Sequence, residues 1–141
     1  MSDGLDQTLL ARLLPIFESQ KFMHHLGVEI TALSEGACEM TLDYRDSWSQ
    51  HNGFFHGGVI GTLADNAAGA AAATLMQAGE NCLTTEYKLN LLAPAKGDKI
   101  VAVSKIIKSG RSLKVAESNV YSMTGTEKKH CATALVTLVA T

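Results

Sequence analysis

The sequence predicts an α+β domain, with one antiparallel β-sheet wrapped around a long central α-helix and a short helix at the N-terminus. Three observations carry this. Residues 57–76 are a run of small, mostly apolar side chains with helical character. The segments after Gly79 alternate polar and apolar residues with period two. Short turn sequences separate those segments. The chain has 141 residues, enough for one core and too few for two full-sized ones, so residues 1–141 are read as a single domain.

Each element has a local reason. Residues 5–19 place Leu9, Leu10, Leu13, Leu14, Ile16 and Phe17 at roughly helical spacing, so a short amphipathic helix is expected, kinked or divided at Pro15. The segment Phe22-Met23-His24-His25-Leu26-Gly27 then leads into two strands, about 28–34 and 37–43, with a hairpin turn at Ser34-Glu35-Gly36. Residues 45–56 form a polar and aromatic loop with Asn52-Gly53 as a turn signal. The helix that follows starts at Gly57, runs about twenty residues and ends near Gly79. It is apolar almost all round, which marks a buried helix, and its small side chains let other backbone pack close on several sides. Four strands are expected after it, over 82–92, 98–108, 112–122 and 129–140. In the first of them Tyr87, Leu89 and Leu91 alternate with Glu86, Lys88 and Asn90. The links between consecutive strands are short, which favours antiparallel pairing.

Composition excludes several function classes. Lys and Arg total 12 against 14 Asp and Glu, a formal charge of −2, so a strongly basic nucleic-acid binder is not expected. The start, Met1-Ser2-Asp3-Gly4-Leu5-Asp6, is acidic, unlike a secretory or organelle-targeting leader. The stretch Ala67–Met76 is too short to span a bilayer. The cysteines, Cys38, Cys82 and Cys131, are odd in number and lack metal-ligand spacing. They are read as three reduced, buried thiols in a cytoplasmic protein, with no metal site and neither nucleic acid nor membrane as partner.

The segment His56-Gly57-Gly58-Val59-Ile60-Gly61-Thr62-Leu63-Ala64-Asp65-Asn66-Ala67-Ala68-Gly69 carries the chemistry. A helix N-terminus offers unpaired N–H groups and the positive end of a dipole, and glycines there let a carbonyl approach closely. Asp65 lies eight residues past Gly57 and shares a face with Gly61 and Gly69, so glycine on either side clears space over the carboxylate. A buried Asp among alanines needs a partner or a purpose. A helix start that can hold an oxyanion, with a carboxylate further along the same helix, supplies the two parts that hydrolysis of an acyl bond needs, an oxyanion site and a base. His56 is a candidate general base, or else a residue that caps the helix and fixes the loop. Arg111, in the Ser109-Gly110-Arg111-Ser112 turn, is the first candidate for holding phosphates, with Ser112 beside it and with Lys108, Lys105 and Lys114 as further candidates. The aromatic residues Phe22, Tyr44, Trp48, Phe54 and Phe55 lie near the presumed cleft.

The same segment resembles the signature of hotdog-fold acyl-CoA thioesterases, especially the phenylacetic-acid-degradation type. Phe22–Val28, Thr85-Glu86-Tyr87-Lys88-Leu89-Asn90-Leu91-Leu92-Ala93-Pro94-Ala95 and Ser109–Ser112 extend the resemblance over about residues 22–140. The resemblance implies a hotdog fold and hydrolysis of an aryl- or short- to medium-chain acyl-CoA, with no cofactor because CoA is part of the substrate. It implies the Gly57 N–H as oxyanion donor and Asp65 as base or nucleophile. It implies Gln50 as a second polariser, as in one class of 4-hydroxybenzoyl-CoA thioesterases, with Asn52 competing. It implies Thr84 as holder of the attacking water, with Thr85 as the neighbour on the opposite strand face. Such sites usually form between two subunits, so a homodimer or a dimer of dimers (a homotetramer) is implied. The spacing agrees with this: eight helical residues put Gly57 and Asp65 about 12 Å apart along one axis. Two other readings stay open: a hydratase or dehydratase using His56 with Asp65, and a non-catalytic acyl-CoA-binding module, which would not need the carboxylate.

Overall fold

A computed structural model describes residues 4–141; Met1, Ser2 and Asp3 of the acidic start lie outside the described residues. Helix α1 spans Gln7–Glu18. The Asp6 carboxylate opens it by accepting the N–H groups of Thr8 and Leu9, both at 3.0 Å. Pro15 does not divide it. The proline sits near the exposed end, where the one ladder bond it removes frees a carbonyl to water. A second helix, α2, spans Lys21–Leu26 where the sequence suggested only a lead-in. It buries Met23 and Leu26, and Gly27 closes it in the left-handed conformation at φ 83°. The N–H of Gly27 bonds the Met23 and His24 carbonyls there, so this glycine was the local signal for the helix end.

Six strands follow: β1 (Glu29–Ser34), β2 (Ala37–Asp43), β3 (Cys82–Leu91), β4 (Lys99–Ser109), β5 (Leu113–Thr124) and β6 (Glu127–Ala140). They form one antiparallel sheet in the order β1-β2-β4-β5-β6-β3. The expectation that consecutive strands pair holds for β1–β2, β4–β5 and β5–β6. It does not hold for β3 and β4, although their connection is short. That connection passes the start of α3 instead, where the N–H of Phe55 bonds the Ala95 carbonyl, and β3 pairs with β6 at the sheet edge.

Helix α3 spans Gly57–Ala73, shorter than expected at 17 residues, and the sheet wraps around it. It buries Ile60, Leu63, Ala64, Ala67, Ala68, Ala71 and Ala72. Ala102, Ser104, Ala116, Ser118 and Ala132 in the sheet are fully buried too, so small side chains on both layers let helix and sheet approach closely. The fold is the hotdog arrangement expected from the sequence. Among the described residues no helix is long and apolar enough to cross a membrane.

Strand β3 has an irregularity that matters for the site. The β3–β6 register shifts between Thr84 and Glu86, leaving Thr85 as the extra residue of a bulge. Thr84 pairs with Leu138 and Tyr87 with Val136, and both partners are fully buried. The bulge thus turns both Thr84 and Tyr87 toward α3, which strict alternation would forbid. As an edge strand β3 also exposes Leu83, Tyr87 and Leu91.

Candidate active site

The site divides into two regions along α3. At the N-terminal one, His56 is the helix cap: its Nδ1 accepts the Gly58 N–H at 2.8 Å, while its own N–H bonds the Trp48 carbonyl at 2.9 Å. Because Nδ1 accepts, the ring proton sits on Nε2 and neither nitrogen offers a free lone pair. The geometry gives His56 a capping role and sets it against the general-base candidacy. The Gly57 N–H, by contrast, has no acceptor among the described residues. It is the free donor at the positive end of the helix.

Gln50 belongs to the loop that leads into this end. Its Oε1 accepts the N–H groups of Asn52 and Phe54, so its carbonyl organises the turn and only its amide N–H groups remain to donate. Asn52 reaches no further than His51, at 3.3 Å. Gln50, Asn52 and Gly57 line one cleft together with Phe54, Ile60 and Leu91. The other aromatic candidates divide between this cleft and packing. Phe55 is buried at its base and Tyr44 stacks edge-on against it at 5.2 Å; Trp48 packs on His25 at 5.3 Å, and Phe22 is exposed on α2.

Two turns further on, Asp65 opens into a different cavity of about 240 Å³. Its Oδ1 accepts the Thr84 hydroxyl at 2.7 Å. Burial pushes the Asp65 carboxyl above its usual range, and the Thr84 hydrogen bond pulls it partly back. The Thr85 hydroxyl turns away, to the Thr137 carbonyl at 3.2 Å. The sequence reading that glycine clears space on both sides of Asp65 is half right. A Cβ on Gly61 would lie 3.1 Å from Tyr87 Oη and 3.3 Å from Leu89 Cδ2, so β3 already fills that space. Gly61 serves instead to let β3 come close enough for Thr84 to reach Asp65.

Sequence reasoning missed the residues that close this cavity. Arg12 of α1 donates to the carbonyls of Met76 (2.7 Å), Ala73 (3.1 Å) and Thr74 (3.1 Å), at the C-terminal end of α3 and the turn after it. It pins α1 over the cavity as a roof. At the same cavity Asn66 Nδ2 donates to Gln20 Oε1 at 2.7 Å. These partners lie 46 to 64 positions apart in the chain, beyond any local pattern.

The phosphate candidates lie apart from both cavities. Lys108 and Ser112 are exposed, as is Arg111 in the β4–β5 turn. The Ser112 carbonyl accepts the Ala140 N–H, which sets this turn at the end of the sheet where β3 begins. Two weaker candidates change role. Lys114 is buried with Nζ on the Gly110 carbonyl at 3.3 Å, and Lys105 faces Glu117 at 3.7 Å. Of the thiols, Cys38 and Cys131 are buried, but Cys82 is only half-buried, because it starts the edge strand and lines the Asp65 cavity.

Residues 52–129 match the model of the thioesterase superfamily. The chain belongs to that superfamily. A 1,4-dihydroxy-2-naphthoyl-CoA hydrolase of Listeria monocytogenes is 30% identical over 106 residues, 75% of this chain and 85% of that protein. The crystal structure of a thioesterase family protein from Silicibacter pomeroyi superposes with a TM-score of 0.91 at 34% identity, covering 94% of this chain and 97% of that one. The Escherichia coli protein of the phenylacetic acid degradation operon has the same fold, with a TM-score of 0.86 at 19% identity over 98% of this chain and 96% of that one. This superfamily member is accordingly a hydrolase of thioesters.

Proposed function

We propose that this thioesterase hydrolyses aryl- or short- to medium-chain acyl-CoA at a site shared between two copies of the chain. One observation carries the reading: the free Gly57 N–H and the Asp65 carboxylate sit on one helix but open into different cavities. Neither region is a complete site alone. A second copy, joined antiparallel along the exposed β3 edge, would set Gly57 of one beside Asp65 of the other. Asp65 takes a proton from water as the water oxygen bonds to the thioester carbon. The Gly57 N–H holds the oxyanion, and the Gln50 amide stands as a second donor near it. Thr84 orients the carboxylate through Oδ1, leaving Oδ2 for the water. The C–S bond then breaks, and the thiolate leaves with the proton returned by Asp65. Arg111, with Lys108 and Ser112, is assigned the phosphates of CoA. Arg111→Ala should raise KM for acyl-CoA but not for a thioester lacking the nucleotide, and equal KM changes for both would remove that assignment. The capped state of His56 speaks against a lyase, which needs a histidine free to move a proton.

The test of the shared site is mixing. Gly57→Pro removes the donor at a helix position whose backbone suits proline; the extended His56 before it, at ψ 139°, accommodates a following proline, and the exposed Leu91 side chain, 3.0 Å from a Cβ at this position, has to move aside. Gly57→Pro and Asp65→Asn should each be nearly inactive in thiol release. After subunit exchange, half the dimers are mixed and half their sites intact, so about a quarter of full activity should return. A mixture as inactive as its components would overturn the shared site.

A further inference from the structure

Four glycines start or line α3, and three have a local reason. A Cβ on Gly57 would lie 3.0 Å from Leu91 Cδ1, one on Gly58 3.0 Å from His56 Nδ1, and one on Gly61 3.1 Å from Tyr87 Oη. Gly69 has no such neighbour: a Cβ there meets no atom within 4 Å. Its backbone does not need glycine either, since it lies within a regular helix and outside the left-handed region. Ala67, Ala68 and Ala70–Ala73 surround it, and alanine is the more stable choice in a helix interior. Nothing among the described residues therefore accounts for Gly69.

Its position supplies a reason. Gly69 lines the Asp65 cavity one helical turn beyond Asp65, opposite Leu13, Ile16 and Phe17 of the α1 roof. On the reading above, the carbonyl carbon sits at Asp65, so an acyl group reaching into this cavity crosses Gly69. The cavity holds about 240 Å³. An apolar cavity of about 150 Å³ accepts a benzene ring, so an arylacyl or medium-chain group fits here and an acetyl group leaves most of the wall untouched. We propose that Gly69 sets acyl size: its missing Cβ is the room that lets aryl and medium-chain acyl groups pass under α1. This rests on the proposed function for the placement of the carbonyl, and the substrate class it names is an apolar acyl group of arylacetyl to octanoyl size.

Gly69→Ala and Gly69→Leu test it, both with residues that favour the helix. Thermal stability should hold or rise in Gly69→Ala. The ratio of kcat/KM for octanoyl-CoA and phenylacetyl-CoA to that for acetyl-CoA should fall about tenfold in Gly69→Ala and further in Gly69→Leu, as expected for a filled pocket. Sedimentation should be unchanged. An equal loss on all three substrates with a changed oligomeric state would overturn the proposal and assign the space to a second copy. An unchanged ratio in both variants would overturn it as well. Octanoate binding, read as a rise in the unfolding temperature of the wild type that Gly69→Leu abolishes, reports on the cavity without turnover. If no acyl-CoA is cleaved and octanoate still binds, the hydrolysis reading fails and the cavity assignment stands; if octanoate gives no shift, the cavity assignment fails.

Discussion

The two candidate regions of α3 are built in opposite ways. Around Gly57 the polar groups that shape the helix start are neighbours in sequence, although Leu91 and Ala95 help to wall the cleft: His56 caps Gly58, the Trp48 carbonyl holds His56, and Gln50 orders the turn at Asn52 and Phe54. Around Asp65 they are distant: Thr84 comes from a strand 19 positions on, and the roof comes from α1. The donor region presents a backbone group that folding of the helix leaves free in any case. The acid region holds an ionisable side chain in partial burial, with its carboxyl pushed up. The first kind of site costs the fold little, whereas the second sets function against stability.

That contrast gives the largest expected effect. Asp65→Asn keeps the size of the side chain and an acceptor for Thr84, but removes the base. We expect kcat to fall at least about a hundredfold with KM little changed. Stability should move the other way. The folded-state pKa of Asp65 lies above the unfolded value, so the stability it confers is full below the unfolded pKa and is lost as pH rises through the folded one. At neutral pH Asp65 therefore destabilises the fold. Asp65→Asn should melt higher than the wild type at neutral pH, and the gap should close toward about pH 4, near the unperturbed carboxylate value. Gly57→Pro should lose activity by a comparable factor without that pH-dependent gain. If both variants showed the same melting profile, the contrast between the two regions would collapse.

The contrast also explains what was legible in the sequence. Strand and helix order followed from periodicity and turn residues, and the helix start at Gly57 followed from the glycines there, because each is written within a few residues; the donor role of Gly57 came only from the family resemblance. The place of β3 beside β6 was not legible, since short connections say which strands can pair and not which do. Helix α2 was missed because six residues give too little periodicity, although Gly27 marked its end. The choice between Thr84 and Thr85 depended on a bulge, which shifts the face of a strand without changing its composition. Arg12, Asn66 and Gln20 were invisible for the same reason that the cavity was: their partners are remote. Lys114 stood among the phosphate candidates, yet it is buried with its ammonium on the Gly110 carbonyl of the β4–β5 turn, a contact that no local pattern announces.

A smaller effect tests the acid region from its distant side. Thr84→Val keeps the branched shape that suits a strand and removes the hydroxyl that bonds Asp65 Oδ1. That bond favours the ionised carboxylate, so its loss should raise the Asp65 pKa further. With Asp65 as the proposed base the active form is the ionised one, hence the acid limb of the kcat/KM profile should move to higher pH. On the plateau above that limb the carboxylate is ionised in both proteins, and what remains is poorer orientation, a loss in kcat of about tenfold. Thr84→Ser restores the donor and should bring back both the limb and most of the rate, which a packing role for the methyl group would not. Thr85→Val serves as the opposite control: its hydroxyl bonds Thr137 on the other side of the bulge, so the limb should stay in place. A shift of the limb in Thr85→Val as large as in Thr84→Val would mean that the bulge as a whole, and not one hydroxyl, holds Asp65. No shift in Thr84→Val would mean that the carboxylate seen by the substrate is not the one that Thr84 touches.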